Sequence, residues 1–162
     1  MNIKIRKFQA QDQAQVYNLI INVLKNEFSL AKETYSDFDL NNISKTYGGK
    51  RDLFLVATIG KTIIGTIAVK EDDNNTALLR RIFVSREFRG IGLGKKLIIK
   101  AITFCEIKHY RVINFCSTDK MATANILCRK NGFQQRACMS LGPVKLLKFT
   151  RRLRANNRAE AK

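Results

Sequence analysis

The segment Leu79-Arg80-Arg81-Ile82-Phe83-Val84-Ser85-Arg86-Glu87-Phe88-Arg89-Gly90-Ile91-Gly92-Leu93-Gly94-Lys95-Lys96-Leu97 carries strand, turn and helix signals in one short span. Its first residues close a run, Thr76 to Val84, rich in apolar and β-branched side chains, which reads as a strand. Three alternating glycines follow. From Leu93 the apolar residues Leu93, Leu97, Ile98, Ala101, Ile102 and Cys105 recur on one helical face. A strand that feeds a glycine turn into a helix aims backbone N–H groups and the positive helix end at one point. Glycine lets a phosphate approach that backbone, because no Cβ intervenes. Arg89 and Lys95 add positive charge. A tight turn that uses glycine only for geometry needs neither the three alternating glycines nor the flanking cations.

Two phosphate loops fail on these residues. A dinucleotide fingerprint beginning at Gly90 and Gly92 needs a third glycine where Lys95 stands. A Walker A loop ending in Gly94-Lys95 needs glycine at Arg89 and a hydroxyl at Lys96. The pattern that remains, Arg89-Gly90-Ile91-Gly92-Leu93-Gly94 after a strand ending in Ile82-Phe83-Val84, resembles the acetyl-CoA pyrophosphate loop of the GNAT family of N-acetyltransferases. A second block resembles the same family: the strand Val112 to Ser117 with Thr118, then Met121, Ala124, Leu127, Cys128, Lys130, Gly132 and Phe133.

The rest of the chain fits around these blocks. Ile3 and Ile5 mark a first strand, about Asn2 to Phe8. Val16, Leu19, Ile20, Val23 and Leu24 mark a helix from Gln11 to Phe28 with Asp12 as its N-cap. A second short helix is expected over Phe38 to Tyr47. Leu53 to Ile59 and Lys61 to Lys70 read as a hairpin joined in a meander to Thr76–Val84. Asp119 is the expected cap of a helix over Lys120 to Lys130 that stops at Asn131-Gly132. Phe133 to Met139 and Val144 to Arg152 read as closing strands. This is an α+β order. The resemblance implies a single-domain GNAT-like fold over residues 1–153, with a central mixed, mostly antiparallel sheet of about seven strands flanked by about four helices. Residues 154–162 read as a basic, disordered tail.

Composition bounds the function. The 162 residues carry 30 Lys and Arg against 13 Asp and Glu, a net +17, and +16 of it falls after Leu78. Such an excess steers anionic partners and says nothing about fold. Four cysteines without a CxxC pair and a single histidine, His109, leave no zinc ligand set, so no metal is expected. The N-terminus has no signal-peptide stretch, no run approaches the ~20 apolar residues that span a bilayer, and a cytoplasmic protein with reduced thiols is expected.

By resemblance, the strand Thr76–Val84 splays from the strand ending at Ser117 and the pantetheine arm of acetyl-CoA lies in the gap. Backbone groups of Ile82, Phe83 and Val84 pair with the arm. N–H groups of Arg89, Gly90, Ile91, Gly92, Leu93, Gly94 and Lys95 hold the pyrophosphate. A primary amine attacks the thioester directly, its oxyanion met by a backbone N–H on the splayed strand.

The chain departs from the family pattern at the proton-transfer positions. The usual tyrosine is replaced by Cys128, whose alternatives are general acid for the leaving thiolate or small apolar packing residue. The glutamate that some relatives carry on the strand is Leu78 here, which leaves Glu27, Glu33 or water as base. His109 falls at the wrong end of the loop helix. Met121 replaces a CoA-binding asparagine, with Asn125, one turn on, as a candidate substitute. The leading reading is thus acetyl-CoA-dependent transfer to an amine acceptor in a ternary complex. The alternatives are an acyl-CoA-binding protein without transfer activity, and a nucleic-acid or ribosome-binding module using the basic half, with Arg151, Arg152, Arg154 and Arg158 as its arm. Acceptor and oligomeric state stay open.

Overall fold

The computed structural model describes residues 2–28 and 38–154. Glu33 and the tail beyond Arg154 lie outside the described residues. In chain order the elements are β1 (Ile3–Lys7), α1 (Gln13–Glu27), α2 (Ile43–Thr46), β2 (Leu53–Ile59), β3 (Thr62–Glu71), β4 (Thr76–Val84), α3 (Leu93–Ile107), β5 (Val112–Thr118), α4 (Ala122–Lys130), β6 (Gln134–Leu141) and β7 (Val144–Arg152). The strands form one mixed sheet in the order β1-β2-β3-β4-β5-β7-β6. Every neighbouring pair is antiparallel except β4 with β5.

The sheet is covered on both faces where its sequence is continuously apolar. Six of the seven residues of β2 are buried, as expected of a strand packed between helices rather than facing water. One core lies beneath α3 and α4: Leu97, Ile98, Ala101 and Cys105 meet Leu55, Ile67, Leu79, Ile113 and Phe149. The other lies beneath α1 and α2, where Val16, Ile20, Leu40 and Ile43 meet Phe54, Val56, Ala68 and Phe83. In α3 the buried residues are the six apolar positions read from the helical period. At the sheet edge all eight residues of β6 are exposed.

Three local expectations give way to longer-range bonds. Asp12 does not cap α1; its carboxylate takes both Arg6 guanidinium nitrogens, at 2.7 and 2.9 Å, and the Gln9 N–H at 2.8 Å, so it ties β1 to a 3-10 turn before the helix. Asp119 likewise accepts the Lys145 N–H at 2.8 Å, and α4 starts later, at Ala122. The helix expected over Phe38–Tyr47 is divided into a 3-10 turn, Phe38–Leu40, and α2. Asn42 causes the break, since its side chain accepts the Lys45 N–H at 3.2 Å and caps the second piece. The stop at Asn131-Gly132 is as expected. Gly132 has φ +86°, the Phe133 N–H returns to the Cys128 carbonyl at 3.0 Å and the Gly132 N–H to that of Arg129 at 3.2 Å, a Schellman closure.

Candidate functional site

The parallel pairing of β4 with β5 is short. It joins Thr76 to Val112, Ala77 to Ile113 and Leu78 to Asn114, and beyond Leu78 the strands part. A bulge in β4 accompanies the divergence: the register with β3 passes from Thr66↔Phe83 to Ala68↔Arg80, which leaves one extra residue on β4. Arg81 sits there at φ +56°, a left-handed conformation uncommon for a residue with a side chain. The Thr66 hydroxyl fastens it by donating to the Arg81 carbonyl at 2.7 Å.

The divergent half of β4 leads into the glycine loop. Gly90 and Gly92 take φ of +79° and +83°, and a Cβ on either would meet no protein atom within 4 Å. The space beside them is open, and the loop's backbone faces it. Within α3 the Lys96 N–H is the first to find a helical acceptor, the Gly92 carbonyl at 3.1 Å. The N–H groups of Leu93, Gly94 and Lys95 have no such partner in the helix and remain available at its positive end.

A cleft of about 490 Å³ runs along this path. Its walls are β4 at Ile82–Val84, the loop and first turn of α3, the segment from Lys120 to Ala124 with Leu127, and Val23, Glu27 and Phe28 at the end of α1. Arg89, Lys95 and Lys120 give its loop end positive charge. Arg89 donates from Nε to the Val84 carbonyl at 2.9 Å and from Nη2 to Glu27 at 2.7 Å, with a second Nη1 contact to the same carboxylate. Those hydrogen bonds hold Glu27 below the usual carboxylate range and raise the Arg89 guanidinium further.

Of the residues singled out by sequence, the structure gathers Ile82, Phe83, Val84, Arg89, Gly90, Gly92, Leu93, Gly94 and Lys95 around the cleft. Ile91 is half exposed and stands outside its lining. Asn125 is also outside: its amide donates to the Thr118 carbonyl at 2.9 Å, linking α4 to β5, while Oδ1 is buried without a partner among the described residues. Cys128, read from the sequence as either a general acid or an apolar packing residue, does not line the cleft. It is fully buried in the apolar cluster beneath α3, and burial pushes its thiol up to about 12. The helical period explains this, because Cys128 lies on the core face of α4 and Ala124 and Leu127 on the cleft side. His109 lies past the C-terminal end of α3, far along the helix from the loop.

Sequence reasoning missed a buried polar cluster at the bulge. Asp39, in the turn before α2, accepts the Tyr47 hydroxyl at 2.6 Å and the Arg81 Nε at 3.0 Å, with a second, shorter contact to Arg81 Nη2. Arg80 reaches the same carboxylate at 3.7 Å. Burial works to raise the Asp39 carboxyl, but the hydrogen bonds from Arg81 and Tyr47 keep it below its ordinary value. The available signal was the dipeptide Arg80-Arg81 in an otherwise apolar strand, which demands a counter-charge.

An elongated, polyanionic thioester fits these residues. The open space beside two left-handed glycines, the unclaimed N–H groups of the first helical turn and three cations can take a pyrophosphate. Beyond Leu78 the edge of β4 that β5 leaves open can offer backbone partners to an extended arm. Comparisons with known proteins bear on the family and the fold. Residues 50–135 match the model of the acetyltransferase (GNAT) domain. A GNAT-family acetyltransferase of Staphylococcus aureus Mu50 superposes with a TM-score of 0.83 at 26% identity, covering 94% of this chain and 100% of that one. The PaiA N-acetyltransferase of Thermoplasma acidophilum, solved in complex with coenzyme A, superposes with a TM-score of 0.76 at 21% identity over 94% of this chain and 100% of that one. An N-acetylaspartate synthetase of Danio rerio is 31% identical over 83 residues, 51% of this chain and 29% of that protein. The chain thus spans about a third of the length of the curated relatives it matches.

Proposed function

Since the chain belongs to the acetyltransferase (GNAT) family, we propose that it transfers an acetyl group from acetyl-CoA to a primary amine by direct attack in a ternary complex. The observation that carries this reading is the wedge: β4 and β5 part after Leu78, and the divergent residues Ile82 to Val84 line the cleft that ends at the glycine loop at the start of α3. Bound acetyl-CoA supplies an acetyl thioester, whose carbon forms the new C–N bond as its C–S bond breaks and the amine proton is released.

The chain's own groups divide the remaining work. Backbone N–H groups from Gly90 to Lys95, with Arg89, Lys95 and Lys120, bind the pyrophosphate. The stretch Ile82 to Val84, on the edge of β4 that β5 leaves open, aligns the arm along β4, which brings its acetyl end to the bulge at Arg80-Arg81. An N–H of the divergent strand stabilises the oxyanion there. Ile91 presents its backbone only, and Asn125 acts from beneath by holding α4 against β5. We assign the amine's proton to water rather than to Glu27, whose place beside Arg89 puts it at the loop end of the cleft, and assign the leaving thiolate no protein acid, because Cys128 is buried away from the cleft.

The domain is read as residues 1–153 and the location as cytoplasmic, the latter supported by four cysteines that are all unpaired thiols. Calorimetric titration with acetyl-CoA, desulfo-CoA and ATP, paired with a thiol-release assay over an amine panel that includes aspartate, tests the function. Binding of both CoA compounds with little response to ATP, and CoA release with at least one amine, is expected. Equal and salt-steep binding of all three would transfer the case to the nucleic-acid reading.

A further inference from the structure

The face on which the amine must arrive has its own chemistry. By the reading above the acetyl end of the arm lies at the β4 bulge, and the α1 and α2 side of the sheet is where Arg80 emerges, since Arg80 pairs with Ala68 of the core beneath those helices. On the opposite wall of the wedge the corresponding residue is Cys116, two beyond Asn114, and Cys116 pairs in turn with Lys148 of β7. Side chains directly opposite in a sheet share a face. Arg80, Cys116 and Lys148 therefore form one row across the mouth of the wedge, and Cys116 and Lys148 are exposed.

The charge balance of this row is lopsided. The strands β4, β5, β6 and β7 contain no Asp or Glu. Among the described residues, Asp39 lies next to this row; it is buried, bonded to Arg81 and Tyr47, and approaches Arg80 only at 3.7 Å. Both guanidiniums reach that carboxylate, and the Lys148 ammonium adds a third cation to the row. Such a floor repels a polyamine or a lysine-rich segment and attracts an anion. Arg80 on β4 and Lys148 on β7 stand on the two sides of the opening that begins after Leu78, so a small anion entering it meets a cation from each side.

We propose that the acceptor is a small amine that also carries a carboxylate, held by Arg80 and Lys148 at the mouth of the wedge while its nitrogen faces the β4 bulge. This rests on the acetyltransferase reading and narrows its substrate class. The arrangement serves the chemistry twice. It fixes the acceptor through a charge-assisted contact, and the nearby cations disfavour the ammonium form of the incoming amine, so water can remove its proton without a dedicated carboxylate base.

Two readouts test it. In turnover, kcat/KM for L-aspartate, L-glutamate and glycine is compared with that for aspartic diamide, glutamic diamide, glycinamide and putrescine. At least one amino carboxylate should exceed its amide tenfold or more. Arg80→Gln and Lys148→Gln should each raise KM for it about tenfold with a smaller effect on kcat, and Arg80→Lys should recover part of the loss. Independently of turnover, N-acetyl-L-glutamate should slow alkylation of Cys116 by iodoacetamide at least threefold in the CoA-loaded protein, while its diamide does not and Cys138 labels unchanged. Amides or putrescine acetylated as well as the acids, or Cys116 equally reactive with and without the carboxylate, would overturn the proposal. Protection of Cys116 without turnover of any amine would retire the acetyltransferase reading and keep the carboxylate site.

Discussion

Glu27 at the end of α1 and Arg89 in the glycine loop, 62 positions apart in the chain, meet in a two-pronged ion pair across the mouth of the cleft. The contact holds the loop's leading cation on a protein carboxylate while the cleft's other cations, Lys95 and Lys120, stand beside it. A polyanion entering the cleft competes with Glu27 for Arg89. Glu27→Gln should therefore tighten acetyl-CoA binding by about two- to fivefold at low salt, the range that ~1 kcal/mol of a partly exposed pair allows. The gain should shrink at high ionic strength and vanish in an Arg89→Ala background, where affinity is lower throughout. Titration calorimetry of the four proteins of this double-mutant cycle measures it.

Asp39 is the centre of a second relationship, between stability and pH. Arg81 is only 8% exposed at its side chain, so Asp39→Asn takes the Asp39 charge away from a buried guanidinium, at a cost of about 3 kcal/mol. Tyr47→Phe removes one hydrogen bond and costs about 1 kcal/mol. Because the folded carboxyl is depressed, its contribution is complete above the unfolded value of about 3.9 and is lost as pH falls through the lower folded value. Denaturant midpoints from pH 7 down to pH 2 should show a shallower acid decline in Asp39→Asn than in the parent.

The thiols sort by position. Cys116 and Cys138 are exposed, whereas Cys105 and Cys128 are buried with their thiols pushed up to about 12. Brief treatment of the native protein with iodoacetamide should label the first two and spare the others until denaturant is added. Cys128→Ala should lower stability by about 1 to 2 kcal/mol through lost packing and leave kcat within about twofold. A loss of a hundredfold with the fold intact would restore a catalytic thiol.

Gly92 and Gly132 both hold positive φ but should fail differently when replaced. Alanine at either costs about 1 to 2 kcal/mol for the left-handed backbone. At Gly92 the strain falls on the loop beside the open space, and acetyl-CoA affinity should drop at least tenfold. At Gly132, in the closure of α4, only the thermal midpoint should move. Binding and melting measured on both variants separate the two roles.

Much of this architecture was legible because its signals are local. The bounds of β2 and β4 follow from apolar runs ended by polar or glycine turns, and the buried face of α3 follows from a 3.6-residue period that nothing interrupts. What escaped depends on partners distant in sequence. Asp12 and Asp119 carry the local mark of helix caps, yet each is claimed by a group the local pattern does not include, the guanidinium of Arg6 or the Lys145 amide across a loop. The cluster of Asp39, Tyr47 and Arg81 joins three elements and a bulge at a non-glycine residue, for which a strand pattern has no symbol. Cys128 was placed by analogy with a tyrosine position. The depth of its side chain is set by packing against α3 and β5, which alignment to a motif does not convey.

The three-pair seam between β4 and β5 also has a mechanical meaning. On one side of it β1 to β4 form an antiparallel leaf, and on the other β5, β7 and β6 form a second. Each leaf is stiffened along its whole length by its own ladder, while the two are stitched together at one end only. The molecule is thus built like a pair of tweezers whose spring is Thr76–Leu78 against Val112–Asn114. Flexing of that short joint would change the gap with no strand having to come apart.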